Sequence, residues 1–511
     1  MIIYSTPIAS GTTTGGVRRS LICLNAWIVL FLITSSTNGY DGSMMNGLQS
    51  LYQWQESFDY PSGSMLGLLN AIQNIGAVAA YPFSPYLSDG IGRRPTVFFG
   101  AVIMIVGATL QTASQSVGMF IGSRFMIGFG LTFAANAAPM LVSEISYPPY
   151  RAALTSLYNS LWYSGSIIAA WTTYGTFKIS SSWSWRTPSA IQGLPSVIQV
   201  ALVFFAPESP RYLISKGKEQ QALRILAHYH ADGNERDPLV QYEFEEIKAA
   251  IELDREVNRN VGWKSLFTKK GNLKRLRIVL AIAFFSQWSG NGLVSYYLSK
   301  VLNGIGITDA TTQLLINGLL QIWNLFVAAF ASFICERTGR RLLFLSSAAG
   351  MCVFFSCQTA CAGVFANTGN MTAAYSVIVF IFLYYGAYDI AFSPLIVSYT
   401  IEITPYNIRA KVLTLFNFTV SVALIFNQYV NPVALDEIQW KYYIVYCVWI
   451  LFEFAYCWFF VVETKNRSLE ETAALFDGEE AVTHVEAVAH DIHDDHRVDD
   501  KDSSLLPEKV V

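Results

Sequence analysis

Asp89-Gly90-Ile91-Gly92-Arg93-Arg94 and Glu336-Arg337-Thr338-Gly339-Arg340-Arg341 are the stretches that decide the fold, because each is a copy of the other. Both stand at the end of a long apolar run, and both place a glycine directly before two arginines. Many membrane transporters are built as a long internal repeat of hydrophobic segments with charges at matching ends. The two copies therefore predict a chain of two similar halves that rock about a site held between them.

Other charged residues repeat at the same distance. Glu144 and Arg151 return as Glu402 and Arg409, a shift of 258 residues in both cases (402 − 144 and 409 − 151). A further apolar run ends at Glu208, and its counterpart in the second half ends at Glu463. The repeat thus extends over most of the chain.

The composition excludes a soluble protein. The 511 residues are 52% hydrophobic and only 14% charged, whereas about a quarter of an average soluble domain is charged. The net charge of −3 is uninformative about a nucleic-acid partner, but no basic face with interleaved aromatic residues appears, so no such partner is predicted. No Ser-His-Asp set, HExxH motif or P-loop indicates an enzyme, and we predict neither a metal site nor a cofactor. The seven cysteines show no C-x-x-C spacing and are interpreted as small buried hydrophobes.

The fold class predicted is an all-α integral membrane protein with twelve transmembrane helices in two pseudo-symmetric six-helix bundles. A spanning helix needs roughly 20 mostly apolar residues. The candidate spans lie near 21–47, 63–88, 95–113, 118–142, 152–175, 187–206, 275–302, 312–334, 341–365, 372–401, 410–431 and 440–461.

The predicted organisation has five parts. They are a cytosolic tail (1–20), an N-terminal bundle (21–206), a charged helical linker (207–274), a C-terminal bundle (275–461) and an acidic tail (462–511). Lys and Arg are concentrated in alternate loops, which places the linker and both termini in the cytosol. Asn370-Met371-Thr372 is a glycosylation sequon on the opposite, outer side.

The repeated charges predict a cytoplasmic gate. Arginine and carboxylate pair as planar forks, and two facing clusters would latch the halves while the outside is open. The alternative is that the bases only fix the topology. The gate residues are Asp89, Arg93, Arg94, Glu144, Arg151, Glu208, Arg211, Glu336, Arg340, Arg341, Glu402, Arg409 and Glu463.

Three acids fall inside predicted spans, and two of them are candidates for proton coupling, while Glu453 is expected at a helix interface. Asp41 lies in the first, and Arg124 in the fourth is its expected partner, because an ionised group in hydrocarbon is costly unless paired. We expect this pair to couple transport to protons, the alternative being a purely structural pair. Asp389, in the tenth span, is a second and weaker candidate for proton coupling, against a structural hydrogen bond near Pro394.

Taken together, these motifs resemble the sugar porter branch of the major facilitator superfamily over about 18–472. The motifs that carry the resemblance include Gly39-Tyr40-Asp41, the two G-R-R stretches, Gly122-Ser123-Arg124, P-E-S-P-R-Y-L at 207–213, Tyr296-Tyr297, and V-E-T-K at 462–465. Within the branch, 158–175 and S-Q-W-S-G-N-G at 286–292 look like the fungal lactose and cellodextrin permeases. The resemblance implies alternating access, with a sugar bound between the halves and a proton as the coupling ion.

Sugars are recognised by amides, hydroxyls and aromatic faces. The substrate-binding candidates at helical depth, four of which stand on or beside family motif positions, are Gln287, Asn324, Asn291, Asn159, Tyr296, Tyr297 and Trp288. Helix–helix hydrogen bonding is the alternative role for such amides, and for Asn70, Gln73 and Asn136 it is the role expected. For Gln321 and Trp323, sugar binding and helix–helix hydrogen bonding are equally expected.

Four positions depart from the family pattern, namely Val397, Val420, Ser421 and Gly292, where larger or amide side chains are usual. A roomier site suits a disaccharide. The prediction is therefore a proton-coupled plasma-membrane transporter of a disaccharide or hexose, acting as a monomer in the lipid bilayer. A facilitative hexose uniporter and a non-transporting sugar receptor are the alternatives.

Overall fold

The computed structural model describes residues 19–260 and 263–465, with 472 and 475–476, and most of both predicted tails lies outside this part. Within helices only the backbone is described at 152–153, 155–156, 159–160, 253–260, 265, 332–333, 335–337, 406–407 and 410. All regular structure in the described residues is helical.

The first half contains nine α-helices, several of which form one span in two pieces. They are α1 (Arg19–Leu48), α2 (Tyr52–Ser57), α3 (Gly63–Ala80), α4 (Ser84–Ile91), α5 (Arg93–Thr112), α6 (Val117–Ile145), α7 (Pro148–Thr176), α8 (Trp183–Ile191) and α9 (Leu194–Leu202).

Along the chain, the linker between the halves contains four helices and the second half contains eight. The linker contains α10 (Pro210–Ser215), α11 (Glu219–His230), α12 (Pro238–Asn260) and α13 (Lys264–Thr268). The second half contains α14 (Lys270–Trp288), α15 (Asn291–Gly304), α16 (Ala310–Thr338), α17 (Arg340–Thr368), α18 (Met371–Ala391), α19 (Leu395–Glu402), α20 (Tyr406–Ile438) and α21 (Tyr442–Phe460).

Hydropathy alone finds fewer spans than the fold contains. Nine stretches of the described residues are long and apolar enough to cross a membrane, and one of them, Lys411–Phe460, includes most of α20 and all of α21. The helices α3 and α7 fall short because amide and hydroxyl side chains interrupt them. When α3 and α7 are counted, each predicted span corresponds to an observed helix or helix pair, and the predicted and observed ends differ by a few residues.

Large apolar side chains cover the outside of the helices. Phe205, Phe326, Val448 and Phe459 are 65–76% exposed, which would be unfavourable in water. In a bilayer such side chains face lipid. The structure therefore has the surface of a multi-pass membrane protein.

The two halves repeat one packing scheme. In the first half α1 packs against α7 and α5 against α6, and in the second α14 packs against α20 and α17 against α18. The halves meet where α3 contacts α20 and where α7 contacts α16. These contacts are equivalent under the repeat, as expected of parallel repeats related by an axis along the membrane normal.

An apolar cluster closes one end of the interface. It combines Met44 and Leu48 of α1, Trp54 and Phe58 of the following segment, and Tyr297 of α15. This cluster lies on the face opposite the linker, which we call the outer face. Because it unites residues from both halves, the outer face is closed in this structure.

Candidate functional site

A polar cavity of 340 Å³ lies between the halves. This size is within the roughly 300–1,000 Å³ usual for small-molecule sites. The first half lines it with α1, α3, α6 and α7, and the second with α14, α15, α16, α18, α19 and α20. Its amides are Asn38, Asn70, Gln73, Asn74, Gln287, Asn291, Gln321, Asn324 and Gln428.

Four of the predicted sugar ligands line this cavity, namely Gln287, Asn291, Tyr296 and Asn324. The side-chain oxygens of Asn291 and Asn324 are buried and accept no hydrogen bond from the described residues. A buried acceptor without a partner is costly. Both oxygens are therefore available to the hydroxyl groups of a ligand.

The prediction was wrong for two other residues. Trp288 packs outside the cavity, with its ring centroid 5.2 Å from those of Phe426 and Trp449. Tyr297 is fully buried, and its hydroxyl donates to the Gln428 carbonyl oxygen. Both side chains stabilise the wall behind the cavity. The Asn159 side chain lies outside the described residues.

Asp41 is the centre of a buried polar network. It is fully buried, and its carboxylate lies 3.8 Å from the Arg124 guanidinium. Gln73 and Gln192 each donate an amide hydrogen bond to the carboxylate, and Arg124 Nη2 donates to Gln73 Oε1 at 2.5 Å. The predicted Asp41–Arg124 pair is therefore real but is completed by two glutamines.

Gln73 makes the helix–helix hydrogen bonds expected of it, but it is more than a packing residue. Its side chain bridges Asp41 and Arg124, and it also lines the cavity. Asn70 lines the cavity too, whereas Asn136 donates to Ser84 Oγ at 2.9 Å in a helix contact. Spacing along α3 was the available signal, because Asn70, Gln73 and Asn74 share one face.

Asp389 is joined to the other half of the protein. It is fully buried, and Tyr163 of α7 donates to its Oδ1 atom at 2.6 Å. Ser393 donates to the same oxygen at 2.5 Å. Both hydroxyl-bearing residues line the cavity.

The outer closure depends on an amide inserted into a helix. At Tyr297 the backbone of α15 is non-helical (φ −138°). The Leu298 N–H therefore donates a hydrogen bond of 2.9 Å to Asn46 Oδ1 and not to the Val294 carbonyl oxygen. Asn46 Nδ2 in turn donates a hydrogen bond of 3.0 Å to the Val294 carbonyl oxygen. A side chain in the i→i−4 ladder is a recognised cause of a kink. Asn46 of the first half thus repairs a break in the second.

We expect Asn46→Ala to open the outer face. The freed N–H and C=O groups of α15 would pair with each other and straighten the helix away from α1. Losing such bonds costs about 1–3 kcal/mol, so labelling of a Ser295→Cys cavity residue by an impermeant thiol reagent from the outer face should rise at least about fivefold.

Asn303→Ala is the matched control, because Asn303 accepts a 2.7 Å hydrogen bond from Gln313 within the same half. Equal labelling of the two variants would show that Asn46 does not hold the outer face closed.

At the linker face, the first gate cluster forms around the start of α5. Arg93 Nε lies 3.3 Å from Glu144, and the backbone amides of Arg93 and Arg94 donate to Glu208 at 3.2 and 3.3 Å. An anion is stabilised at a helix N-terminus. Burial raises the pKa of the Glu208 carboxyl above its usual range, although these amides and Arg94 oppose the shift.

The second cluster repeats this geometry at the start of α17. Arg340 Nη2 lies 2.9 Å from Glu402, and the amides of Arg340 and Arg341 donate to Glu463 at 2.9 and 3.1 Å. Ser209 donates to Glu144 in the first half as Thr464 does to Glu402 in the second. The repeat of the sequence is therefore also a repeat of contacts.

The remaining gate residues are distributed around these clusters. Arg93 also pairs with Asp89 at 3.1 Å, and Arg409 donates to the Thr404 carbonyl. Arg151 lies 3.9 Å from Glu243 of the linker, and Arg211 is in the first turn of α10. The Glu336 side chain lies outside the described residues. Each of these ion pairs lies within one half or joins it to the linker, so a latch between the halves stays a prediction.

Gly92 is required by the first cluster for two reasons. Its φ of 111° disfavours any other residue, and a Cβ atom would stand 2.6 Å from Glu208 Oε2. We expect Gly92→Ala to cost about 1–3 kcal/mol and to lower the thermal unfolding midpoint and the transport rate. Gly90→Ala, where a Cβ meets nothing within 4 Å, should leave both near wild type. Equal midpoints for the two variants would contradict this account.

Asn370, the predicted glycosylation site, is exposed at the start of α18, where its side chain accepts from the Thr372 amide at 2.9 Å. It faces solvent on the outer face, and its glycosylation stays a prediction.

Comparison with known proteins agrees with this architecture. A family model described as sugar (and other) transporter matches residues 27–476. The MFS-type transporter oryC of Aspergillus oryzae is 29% identical, and the high-affinity glucose transporter of Kluyveromyces lactis is 28% identical, each alignment covering 88% of this chain and 84% of the relative. The inward-open xylose transporter XylE from E. coli, a proton:xylose symporter, superposes with a TM-score of 0.74 at 22% identity, covering 89% of this chain and 100% of that one. The chain therefore belongs to the sugar porter family of the major facilitator superfamily and is a membrane transporter, not an enzyme.

Proposed function

We propose that this protein is a proton-coupled symporter that takes up a disaccharide of the lactose or cellobiose class, or a hexose, across the plasma membrane by alternating access. The observation that carries the proposal is Gln73, which both lines the cavity and donates to Asp41. A sugar hydroxyl that competes for Gln73 changes the hydrogen bonding of a buried carboxylate. Sugar binding and protonation are then linked through one side chain.

The amide distribution supports a sugar as the substrate. Asn38 and Asn74 extend from the first half into the cavity, and Gln287 and Asn324 extend from the second. A carboxamide offers donors and acceptors on one plane, which matches the paired hydroxyls of a pyranose. Because each half contributes amides, a sugar between them would be bound more tightly as the halves close.

The amides on both walls of the cavity also favour a substrate of two linked sugar rings. The small side chains of Val397 and Ser421 do not enlarge the cavity, because Ile396 and Leu424 line it instead. The glycine at position 292 is explained by helix packing and not by the size of the cavity. A Cβ atom there would lie 2.3 Å from the Asn427 carboxamide, so the amide usual in the family does not fit.

The proposal is tested by uptake of radiolabelled lactose, cellobiose and glucose into proteoliposomes containing the purified protein. A pH gradient, acid outside, should drive accumulation of at least one sugar, and a protonophore should collapse it. Equilibration without accumulation would identify a uniporter. Sugar binding without any flux would identify a receptor.

A further inference from the structure

Asp389, Tyr163 and Ser393 form a hydrogen-bonded set that we call the tyrosine–aspartate ring. Tyr163 Oη, Ser393 Oγ and Asp389 Oδ1 are mutually within hydrogen-bond distance, at 2.6, 2.5 and 2.8 Å. Three contacts need three hydrogens, but the two hydroxyl groups supply only two. If both hydroxyls donate to an ionised Oδ1, the Tyr163–Ser393 contact has no hydrogen. A proton on the Asp389 carboxyl supplies the third, because Oδ1 then donates to Tyr163, Tyr163 to Ser393 and Ser393 to Oδ1, which closes the ring.

The environment of the second carboxyl oxygen of Asp389 also favours a protonated carboxyl group. Asp389 Oδ2 is buried and has no hydrogen-bond partner among the described residues. Leaving a charged oxygen unpaired in a membrane protein costs far more than leaving the carbonyl oxygen of a neutral acid unpaired. Both oxygens therefore favour the neutral acid.

The surroundings contain no cation that would stabilise the charge. In the described part of the chain no Lys, Arg or His lies within 4.0 Å of this carboxyl, in contrast to Asp41 with Arg124. The ionisable groups that face Asp389 are tyrosines, namely Tyr163 on α7 and Tyr385 and Tyr388 on its own helix. The hydroxyls of Tyr385 and Tyr388 donate instead to the backbone oxygens of Asn291 and Ser286.

The ring also spans the moving interface. Tyr163 belongs to α7 in the first half, whereas Asp389 and Ser393 belong to the tenth span in the second. Tyr163 and Ser393 line the cavity, so water that enters when the halves separate reaches the carboxyl after one hydroxyl moves.

We propose that Asp389 is a second proton-binding site, and that its neutral carboxyl joins the two halves beside the cavity. When water enters the cavity, the proton passes from the carboxyl to water and both hydroxyls turn to the carboxylate. The Tyr163–Ser393 contact between the halves then has no hydrogen, and the halves separate more readily. This inference rests on the proposed proton-coupled function, and Asp389 adds to it a proton site independent of Asp41.

The experiment measures sugar exchange in proteoliposomes at equal pH on both sides, where no proton gradient is needed. The background is Asp41→Asn, so that Asp41 cannot titrate. We expect the exchange rate to rise about threefold or more between about pH 5 and pH 8. Adding Asp389→Asn, whose amide resembles the neutral acid, should remove this dependence.

Glu453→Gln is the matched control. Glu453 is equally buried, and Ser289 donates to it at 2.9 Å, but both residues lie in the second half and away from the cavity. The pH dependence should survive in Asp41→Asn/Glu453→Gln. Tyr163→Phe, which keeps Asp389 but breaks the ring, should reduce it and covers the case in which Asp389→Asn does not fold.

A flat pH profile in Asp41→Asn, or a slope that survives both Asp389→Asn and Tyr163→Phe, would overturn the inference. The proposed function fails in a different assay, namely when the wild-type protein does not accumulate sugar under a pH gradient. The two failures are therefore distinguishable.

Discussion

Replacing Asp41 with asparagine should abolish concentrative uptake while leaving sugar exchange. The amide removes the ionisable group, and its oxygen still accepts from one of the two glutamines, Gln73 or Gln192. The carboxamide of the other can turn to accept from the new NH2 group, so most of the network persists. A proton that moves down 100 mV supplies about 2.3 kcal/mol, enough for roughly fifty-fold accumulation. In Asp41→Asn the inside-to-outside ratio should fall to about one.

The measurement compares steady accumulation with counterflow in the same proteoliposomes. Glu453→Gln serves as the control, because it also neutralises a buried acid but lies away from Asp41 and the cavity. It should accumulate sugar as the wild type does. Concentrative uptake retained in Asp41→Asn would end the assignment of coupling to this residue.

Replacing Gly165 with alanine should have the largest effect on folding. The helices α1 and α7 approach so closely that a Cβ at Gly165 would lie 1.7 Å from the Ser36 carbonyl oxygen. The contact is reciprocal, since a Cβ at Gly39 would lie 1.7 Å from the Trp162 carbonyl oxygen. Backbone atoms cannot rotate away, so the helices must separate, and we expect a loss above about 4 kcal/mol.

The loss should appear as a sharply reduced fraction of monodisperse protein after detergent extraction and as a lower melting temperature. Gly175→Ala tests the same helix at a position where a Cβ meets nothing within 4 Å, and it should behave as wild type. If Gly165→Ala matched Gly175→Ala in both measurements, the close approach of α1 and α7 would not be essential.

Sequence patterns predicted the elements that depend on local chemistry. The G-R-R stretches and the acids Glu208 and Glu463 were visible because each half repeats them, whereas the binding of these acids to the G-R-R amides was shown by the structure. The structure shows why the repeat is strict, since the glycine leaves room for the carboxylate that binds the amides of the next helix. The spans α3 and α7 were recognisable only through the repeat, because their polar residues lower the hydropathy.

Site residues were predictable only in part, because the direction of a side chain depends on how helices pack. Gln287 and Asn324 were identified correctly as lining the cavity, whereas Trp288, one residue further, faces the opposite way. Gln73 looked like an amide for helix packing, and nothing in its neighbourhood along the chain indicated Asp41, which is 32 residues away.

The amino-acid sequence by itself determined that this protein crosses the membrane as two related helical halves with charged ends, because apolar length and repeat spacing are properties of the chain. Apart from the predicted Asp41–Arg124 pair, only the tertiary structure decided which polar side chains meet. Asn46 enters the break in α15, and Tyr163 reaches Asp389, because helices distant in the chain pack side by side, and a buried polar group must find its partner wherever that packing places one.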